Sequence, residues 1–225
     1  MRRALMLLVV GLLAAGSAAM AAPIYFNDFQ GVVGAGWSNT TTSTTPAGCT
    51  TCTTYLGQFG NQSVTLTLTG LPTSTQLTIS FDEFIIRSWD GNGQMGFGPD
   101  TAAFSIGGAN TLTTTFANGQ VGNTQNFPTA GSAAEAGAAQ VDTLGYQFLG
   151  QPRDSIYALS FNWFNTNSTQ TFTWSASGLQ ELADESWGID NVSVSSPDAI
   201  PEPGTALLLG SGVLAFLLYR RRRTA

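Results

Sequence analysis

The 225-residue sequence contains no histidine and no lysine, only two cysteines, and only 10% charged residues. Without an imidazole, the chain cannot build a Ser-His-Asp or Cys-His catalytic site, a CxxCH haem attachment, or a histidine-ligated zinc or copper site. Its length predicts one main domain, with room for short terminal segments. The 26 glycines, together with many Ser, Thr and Asn residues, favour strands and turns.

Positive charge is almost absent from the middle of the chain. Between residues 23 and 199, Arg87 and Arg153 stand against thirteen Asp and Glu residues, which gives a net charge of −11. A body this acidic cannot neutralise a phosphate backbone, so nucleic acid is not an expected partner.

Residues 1–21 have the order of a secretory signal peptide. Arg2 and Arg3 precede an apolar run at 4–15, and small residues follow as far as Ala21. An uncleaved membrane anchor is the alternative, but it needs a longer apolar run. We therefore predict cleavage after Ala21 and export of the remaining chain.

Residues 199–225 combine a proline-rich boundary, an apolar run and a basic end. The prolines that flank Glu202 keep the segment extended and out of any helix. The apolar run at 205–219 is expected to form a transmembrane helix whose terminal arginines stay in the cytoplasm. The residues of this signal are Pro201, Glu202, Pro203, Arg220, Arg221, Arg222 and Arg223.

This arrangement resembles the PEP-CTERM sorting signal of Gram-negative bacteria. The resemblance implies processing by an exosortase, a membrane protease-transferase that cuts near the Pro-Glu-Pro and releases or re-attaches the body. The expected route is export through the inner membrane, transient anchoring there, and then the cell surface or the extracellular matrix of a biofilm. An ordinary C-terminal anchor, which would keep its helix in the mature protein, is the alternative.

Residues 22–198 are predicted to form an all-β domain, an antiparallel two-sheet sandwich. Large apolar and small polar residues alternate with a period of two at 64–69, 77–81, 157–163 and 172–174. Shorter candidate strands lie at 24–29, 103–106, 111–116 and 187–194. About eight strands suffice for two packed sheets, and the Thr-rich segment 38–54 is predicted to be a long surface loop.

The two cysteines, Cys49 and Cys52, lie in that loop. An oxidising compartment favours a disulfide between them. A thioredoxin-like redox site and a zinc site are the alternatives. The first lacks a βαβ context with a helix N-terminus, and the second lacks two further ligands.

Several carboxylates share the strand parity of core residues. They are Asp28, Glu83 and Asp190, with the parity of Phe26, Phe81 and Val192 respectively. An inward carboxylate must be hydrogen-bonded, paired or bound to a cation. Because the body holds only two arginines, a structural Ca²⁺ with oxygen ligands is the expected cofactor.

A second set of oxygen ligands, Asp90, Asn92 and Asp100, lies in the glycine-rich segment 88–100. This segment lacks the glutamate that closes an EF-hand loop. Metal binding is one interpretation, and the capping of glycine-rich turns is the other.

The body itself resembles bodies that recur in PEP-CTERM proteins and, more distantly, the jelly-roll sandwiches of carbohydrate-binding and MAM-like modules. The resemblance rests on Asp28-Phe29 near the start and Ile189-Asp190-Asn191-Val192 near the end. In those modules, carboxylates of the first and last strands meet at a structural calcium. The resemblance therefore implies Asp28 and Asp190 as calcium ligands.

We predict a non-enzymatic surface protein that binds extracellular polysaccharide. Aromatic side chains can stack on sugar rings, and Trp89 in the glycine-rich segment is the predicted ligand-binding residue, with a core role as the alternative. A passive matrix component without a discrete ligand is the alternative function. A glycoside hydrolase is less favoured, because the adjacent Asp82 and Glu83 face opposite sides of a strand and cannot flank one bond.

Overall fold

The computed structural model describes residues 23–93, 96–119 and 122–196. The predicted signal peptide and the predicted sorting segment with its transmembrane helix lie outside these described residues. Within them, no helix is long and apolar enough to cross a membrane.

Strands account for all of the regular secondary structure in the described ranges. They are β1 (Tyr25–Asn27), β2 (Thr42–Thr44), β3 (Thr54–Phe59), β4 (Ser63–Thr69), β5 (Thr75–Arg87), β6 (Thr101–Ile106), β7 (Ala109–Thr115), β8 (Thr124–Gln125), β9 (Ser132–Ala133), β10 (Gln140–Val141), β11 (Gln147–Phe148), β12 (Gln151–Pro152), β13 (Asp154–Asn165), β14 (Thr169–Ser177) and β15 (Glu185–Ser195). All eight segments predicted to be strands contain one.

The main strands form two antiparallel sheets. The larger sheet has the order β10-β13-β5-β15-β3-β2, with β1 also paired to β15, and the smaller has the order β4-β14-β6-β7. Two short ribbons, β8-β9 and β11-β12, lie in the connections. The prediction of an all-β, two-sheet sandwich is confirmed.

The core lies between the two sheets and follows from the period-two pattern. In β5, Leu77, Ile79 and Phe81 are buried, while the residues between them are only half-buried or exposed. Phe81 packs against Phe104 and Trp174 of the smaller sheet, with ring centroids 5.0 and 5.3 Å apart. Burying each such ring stabilises the fold by about 1.5–3 kcal/mol.

A second apolar cluster lies on the other face of the larger sheet. It comprises Tyr55, Phe84, Ile86, Leu144, Tyr146 and Ile156. The connection that supplies Leu144 and Tyr146 is joined to the cysteine-containing loop, because the amides of Thr50 and Thr51 both donate to the carbonyl of Thr143. The segment 38–54 is therefore not purely a loop: it contains β2, which pairs with β3.

Candidate functional site

Three buried carboxyls meet where β5 ends and where β6 and β15 begin. Asp90 follows β5, Asp100 directly precedes β6, and Glu185 is the first residue of β15. One carboxylate oxygen from each lies within 4.8 Å of those of the other two. Asp90, Asp100 and Glu185 are 8%, 0% and 0% exposed, respectively, so the cluster is buried at the ends of these strands. We call these three residues the acidic triad.

Burial and mutual repulsion both act on the acidic triad. Burial raises the pKa of Asp90, Asp100 and Glu185. Other triad carboxyls raise that of Asp100 and Glu185 further, whereas the carboxyl that acts on Asp90 is that of Asp184. Asp100 and Glu185 are close enough for a hydrogen bond between their carboxyls. Without a cation, the triad is therefore expected to hold at least one proton at neutral pH.

Hydrogen bonds satisfy the acidic triad only in part. Asp100 Oδ2 accepts the backbone N–H of Asp90, and Glu185 Oε2 accepts that of Gln180 at 2.7 Å. Asp100 Oδ1 is buried and accepts no hydrogen bond from a described donor. The side chain of Asn123 lies beside the Asp90 carboxyl, yet its buried amide nitrogen reaches no acceptor with good hydrogen-bond geometry.

The structure unites two of the three residues in the predicted second ligand set, but not Asn92. The Asn92 amide bridges two threonines: its Oδ1 accepts from Thr115 at 2.6 Å and its Nδ2 donates to Thr124 at 3.1 Å. Glu185, the third member of the triad, is not among the residues predicted from the sequence. A usable signal was its shared parity with the core residues Trp187 and Ile189.

The predicted pair Asp28 and Asp190 is arranged differently from expectation. A register shift lies between Asp190 and Ser193, and Asn191 has a φ of 51°, so the strand parity changes there. Asp190 consequently pairs with Asp82 on the face away from the main core. The expectation that Asp190 shares a face with Val192 is wrong, although its carboxyl is 2% exposed.

Hydrogen bonds from the protein satisfy the Asp190 carboxyl. Its Oδ2 accepts a hydrogen bond from the Thr53 hydroxyl, and its Oδ1 accepts one from the backbone N–H of Asn191, both at 2.8 Å. Burial, together with the nearby Asp82 and Asp28, raises its pKa to about 6. Asp28 lies close to Asp190 but is half-exposed, and the Ile24 and Phe26 side chains that share its parity are exposed rather than buried.

An open cleft of about 440 Å³ lies beside β2, β3 and the end of β5. It is lined by Thr41, Ser43, Gln58, Arg87, Leu182 and Ala183. Arg87 is held in place: its Nη1 donates to Gln58 Oε1, Ser186 Oγ and the Leu182 carbonyl, and its guanidinium lies 5.0 Å from the Tyr146 ring centroid. All three bonds use Nη1, and no described residue accepts a hydrogen bond from Nη2 or Nε.

Trp89 does not line this cleft. Its side chain is fully buried, and its indole N–H donates to the Ser186 carbonyl at 2.9 Å. The prediction that Trp89 stacks on a sugar ring is therefore wrong, because no face of the ring reaches solvent. The alternative interpretation, a core tryptophan, describes its position.

Cys49 and Cys52 form a disulfide. Cys52 is exposed and Cys49 is half-buried. The bond closes a four-residue ring in the segment that contacts Thr143. The cysteines lie apart from both the acidic triad and the open cleft.

The chain carries a recognisable sorting motif. Residues 199–223 match the family described as the PEP-CTERM protein-sorting motif. They include every residue singled out in the C-terminal signal, from Pro201 to Arg223. No curated protein matches the chain significantly.

Several solved structures are distantly similar to the chain. A carbohydrate-binding module of Cellvibrio mixtus lichenase 5A, in complex with cellotriose, is 12% identical and covers 78% of this chain and 99% of its own, with a TM-score of 0.37. A family 35 carbohydrate-binding module from Clostridium thermocellum is 12% identical, covers 79% and 100%, and has a TM-score of 0.36. These likenesses are too distant to carry an argument about this chain's ligand.

Proposed function

We propose that this protein is an exported, non-catalytic component of the bacterial cell surface or matrix that binds glycan in its open cleft. The PEP-CTERM motif at 199–223 supports processing by an exosortase and surface sorting. The cleft around Arg87 is the observation that carries the binding part of the proposal.

The size and lining of the cleft suit a small oligosaccharide. Its volume of about 440 Å³ falls within the usual range for small-molecule sites. The Nη2 and Nε donors of Arg87 can reach paired hydroxyl or carboxylate oxygens of a sugar. Leu182 is 49% exposed and offers an apolar surface to the C–H face of a ring.

The same cleft gives no support to hydrolysis. Its lining residues include no carboxyl group. The acidic triad holds three carboxyls close together, but they are buried, and a glycosidase needs its carboxyl pair on either side of an accessible bond. We therefore assign the cleft a binding role.

Glycan binding is tested by screening the full chain, purified in detergent, on an array of neutral and uronic oligosaccharides, followed by calorimetry on the hits. Arg87→Lys keeps the charge but removes the planar fork, and Leu182→Glu places a carboxylate beside the free donors of Arg87. Both should weaken binding about ten- to a hundredfold, the cost of losing a charged hydrogen bond. Arg153→Lys, at the other arginine of the body, is the matched control and should bind like wild type.

If the wild-type protein binds no glycan, or if all four proteins bind equally, the cleft is not a glycan site. The passive matrix role would then be the better description. Thermal unfolding of each variant separates lost binding from lost folding.

Sorting is tested independently in the source bacterium. Replacing Pro201, Glu202 and Pro203 together by alanine should leave the C-terminal segment on the mature protein. Mass spectrometry of the C-terminus measures this directly. Equal processing of the variant and wild type would show that the Pro-Glu-Pro does not direct cleavage.

A further inference from the structure

We propose that Asp90, Asp100 and Glu185 form an internal calcium site that clamps the two sheets of the sandwich together. This inference is independent of glycan binding in the open cleft.

The spacing of the acidic triad matches the size of Ca²⁺. Calcium takes oxygen ligands at about 2.3–2.6 Å, so two ligand oxygens on opposite sides of the ion lie at most about 5 Å apart. One oxygen from each triad carboxyl lies within 4.8 Å of the other two. All three can therefore contact one ion without a large movement of the backbone.

The negative charge of the triad also favours a cation. Three buried carboxyls repel one another, and an uncompensated buried charge is costly. Arg87 and Arg153 are the arginines of the described residues, and neither reaches the triad. Arg87 donates to Gln58, Ser186 and the Leu182 carbonyl, while Arg153 donates to the Gly119 carbonyl.

A cation would also satisfy a buried oxygen of the triad, Asp100 Oδ1. Asp100 is 0% exposed, and its Oδ1 accepts no hydrogen bond from an N–H or hydroxyl group of the described residues, although its Oδ2 accepts the backbone N–H of Asp90. Buried polar oxygens are rarely left in this state, and such an atom commonly marks a missing ion or water. A cation held by the triad would satisfy Asp100 Oδ1.

Asn123 could supply a further oxygen ligand to the calcium ion. Its side chain is 6% exposed and lies beside the Asp90 carboxyl, where its amide nitrogen has no acceptor at good hydrogen-bond geometry among the described residues. Rotation of the amide by 180° would turn its oxygen toward the ion, and this exchange of positions leaves the side-chain shape unchanged.

The position of the site gives it a mechanical role. Asp90 follows the end of β5 and Glu185 begins β15 in the larger sheet, whereas Asp100 leads into β6 of the smaller sheet. One ion would link the ends of strands from the two sheets. Calcium binding is therefore expected to stabilise the whole sandwich rather than one loop.

The test uses the full chain in detergent, stripped with a chelator and titrated with CaCl₂. Thermal unfolding and calorimetry measure calcium binding, and Tb³⁺ luminescence excited through tryptophan reports occupancy near Trp89. Wild type should gain several degrees in its unfolding midpoint. Glu185→Gln and Asp100→Asn keep the side-chain shape, so the variants should fold, but should bind calcium at least about tenfold more weakly.

Asp190→Asn is the matched control, since it removes another buried acid at the pair implied by the family resemblance. It should retain the calcium response if the ion sits in the triad. The proposal is overturned if wild type shows no calcium response, if Glu185→Gln and Asp100→Asn respond like wild type, or if only Asp190→Asn abolishes the response. None of these results decides whether Arg87→Lys weakens glycan binding, so either proposal can fail while the other stands.

Discussion

The indole N–H of Trp89 donates a 2.9 Å hydrogen bond to the backbone carbonyl of Ser186. This bond joins the exit of β5 to the start of β15, next to two members of the acidic triad. The tryptophan thus serves as a structural support behind Asp90, and the ligand-binding surface lies elsewhere.

We expect Trp89→Phe to destabilise the protein by about 1–3 kcal/mol, because it removes a buried hydrogen bond and part of a buried ring. Urea unfolding of the full chain in detergent measures the change. Trp163→Phe is the control: Trp163 is only partly buried against the core and makes no indole hydrogen bond to a described residue, so the loss there should be smaller.

Acrylamide quenching offers a second check on the same residue. The Trp89 contribution to fluorescence, taken as the difference between wild type and Trp89→Phe, should be shielded from the quencher. Ready quenching, or quenching by oligosaccharide, would contradict the buried position of the ring.

A pH-dependent loss of stability is expected from Glu83. Its side chain is 3% exposed and faces the core with Phe81 and Ile85, and burial raises its pKa from 4.5 to about 8. Between these two values, the folded protein holds a proton that the unfolded chain has released. The free energy of unfolding should therefore fall as the pH rises from about 4.5 to 8, by roughly 5 kcal/mol from this group.

Glu83→Gln should remove that contribution, since an amide does not titrate. The variant and wild type should have similar stability near pH 5, and the variant should be the more stable near pH 8.5. Urea unfolding across this range, in chelator so that calcium does not contribute, gives the difference. Parallel slopes for wild type and Glu83→Gln would refute the prediction.

The local alternation of apolar and polar residues was sufficient to predict the strands and the inward direction of the Glu83 side chain. It failed at Asp190, because the register shift at Asn191 reverses the parity and depends on pairing with β5, which lies a hundred residues away in sequence. Glu185 was missed although its parity with Trp187 was visible, since nothing local shows that the preceding turn packs inside. Trp89 was misassigned because burial of a residue beyond a strand end depends on how distant segments cover it.

Asp154 is expected to fix the connection over the second apolar cluster. Its Oδ1 and Oδ2 accept the backbone N–H groups of Leu144 and Tyr146 at 2.9 and 3.0 Å. Asp154→Asn should lose one of these bonds and cost about 1.5–3 kcal/mol, the usual value for a hydrogen bond to a charged group. Hydrogen exchange should rise across residues 142–153, whereas the exposed Asp142→Asn in the same connection should exchange like wild type.

Reduction of the Cys49–Cys52 disulfide should loosen its own loop and leave the sandwich intact. Cross-linking a four-residue ring is worth about 2 kcal/mol in the chain-entropy treatment. Reduction with a phosphine should therefore lower stability by about this amount and speed exchange at the amides of Thr50 and Thr51, which donate to the Thr143 carbonyl. The double variant Cys49→Ser, Cys52→Ser should reproduce this effect and show no further change with reductant.

The core residues of both sheets lie outside this loop, so hydrogen exchange in β5 and β15 should not change on reduction. Two free thiols in the unreduced protein, or a loss of protection in those strands, would contradict a purely local role.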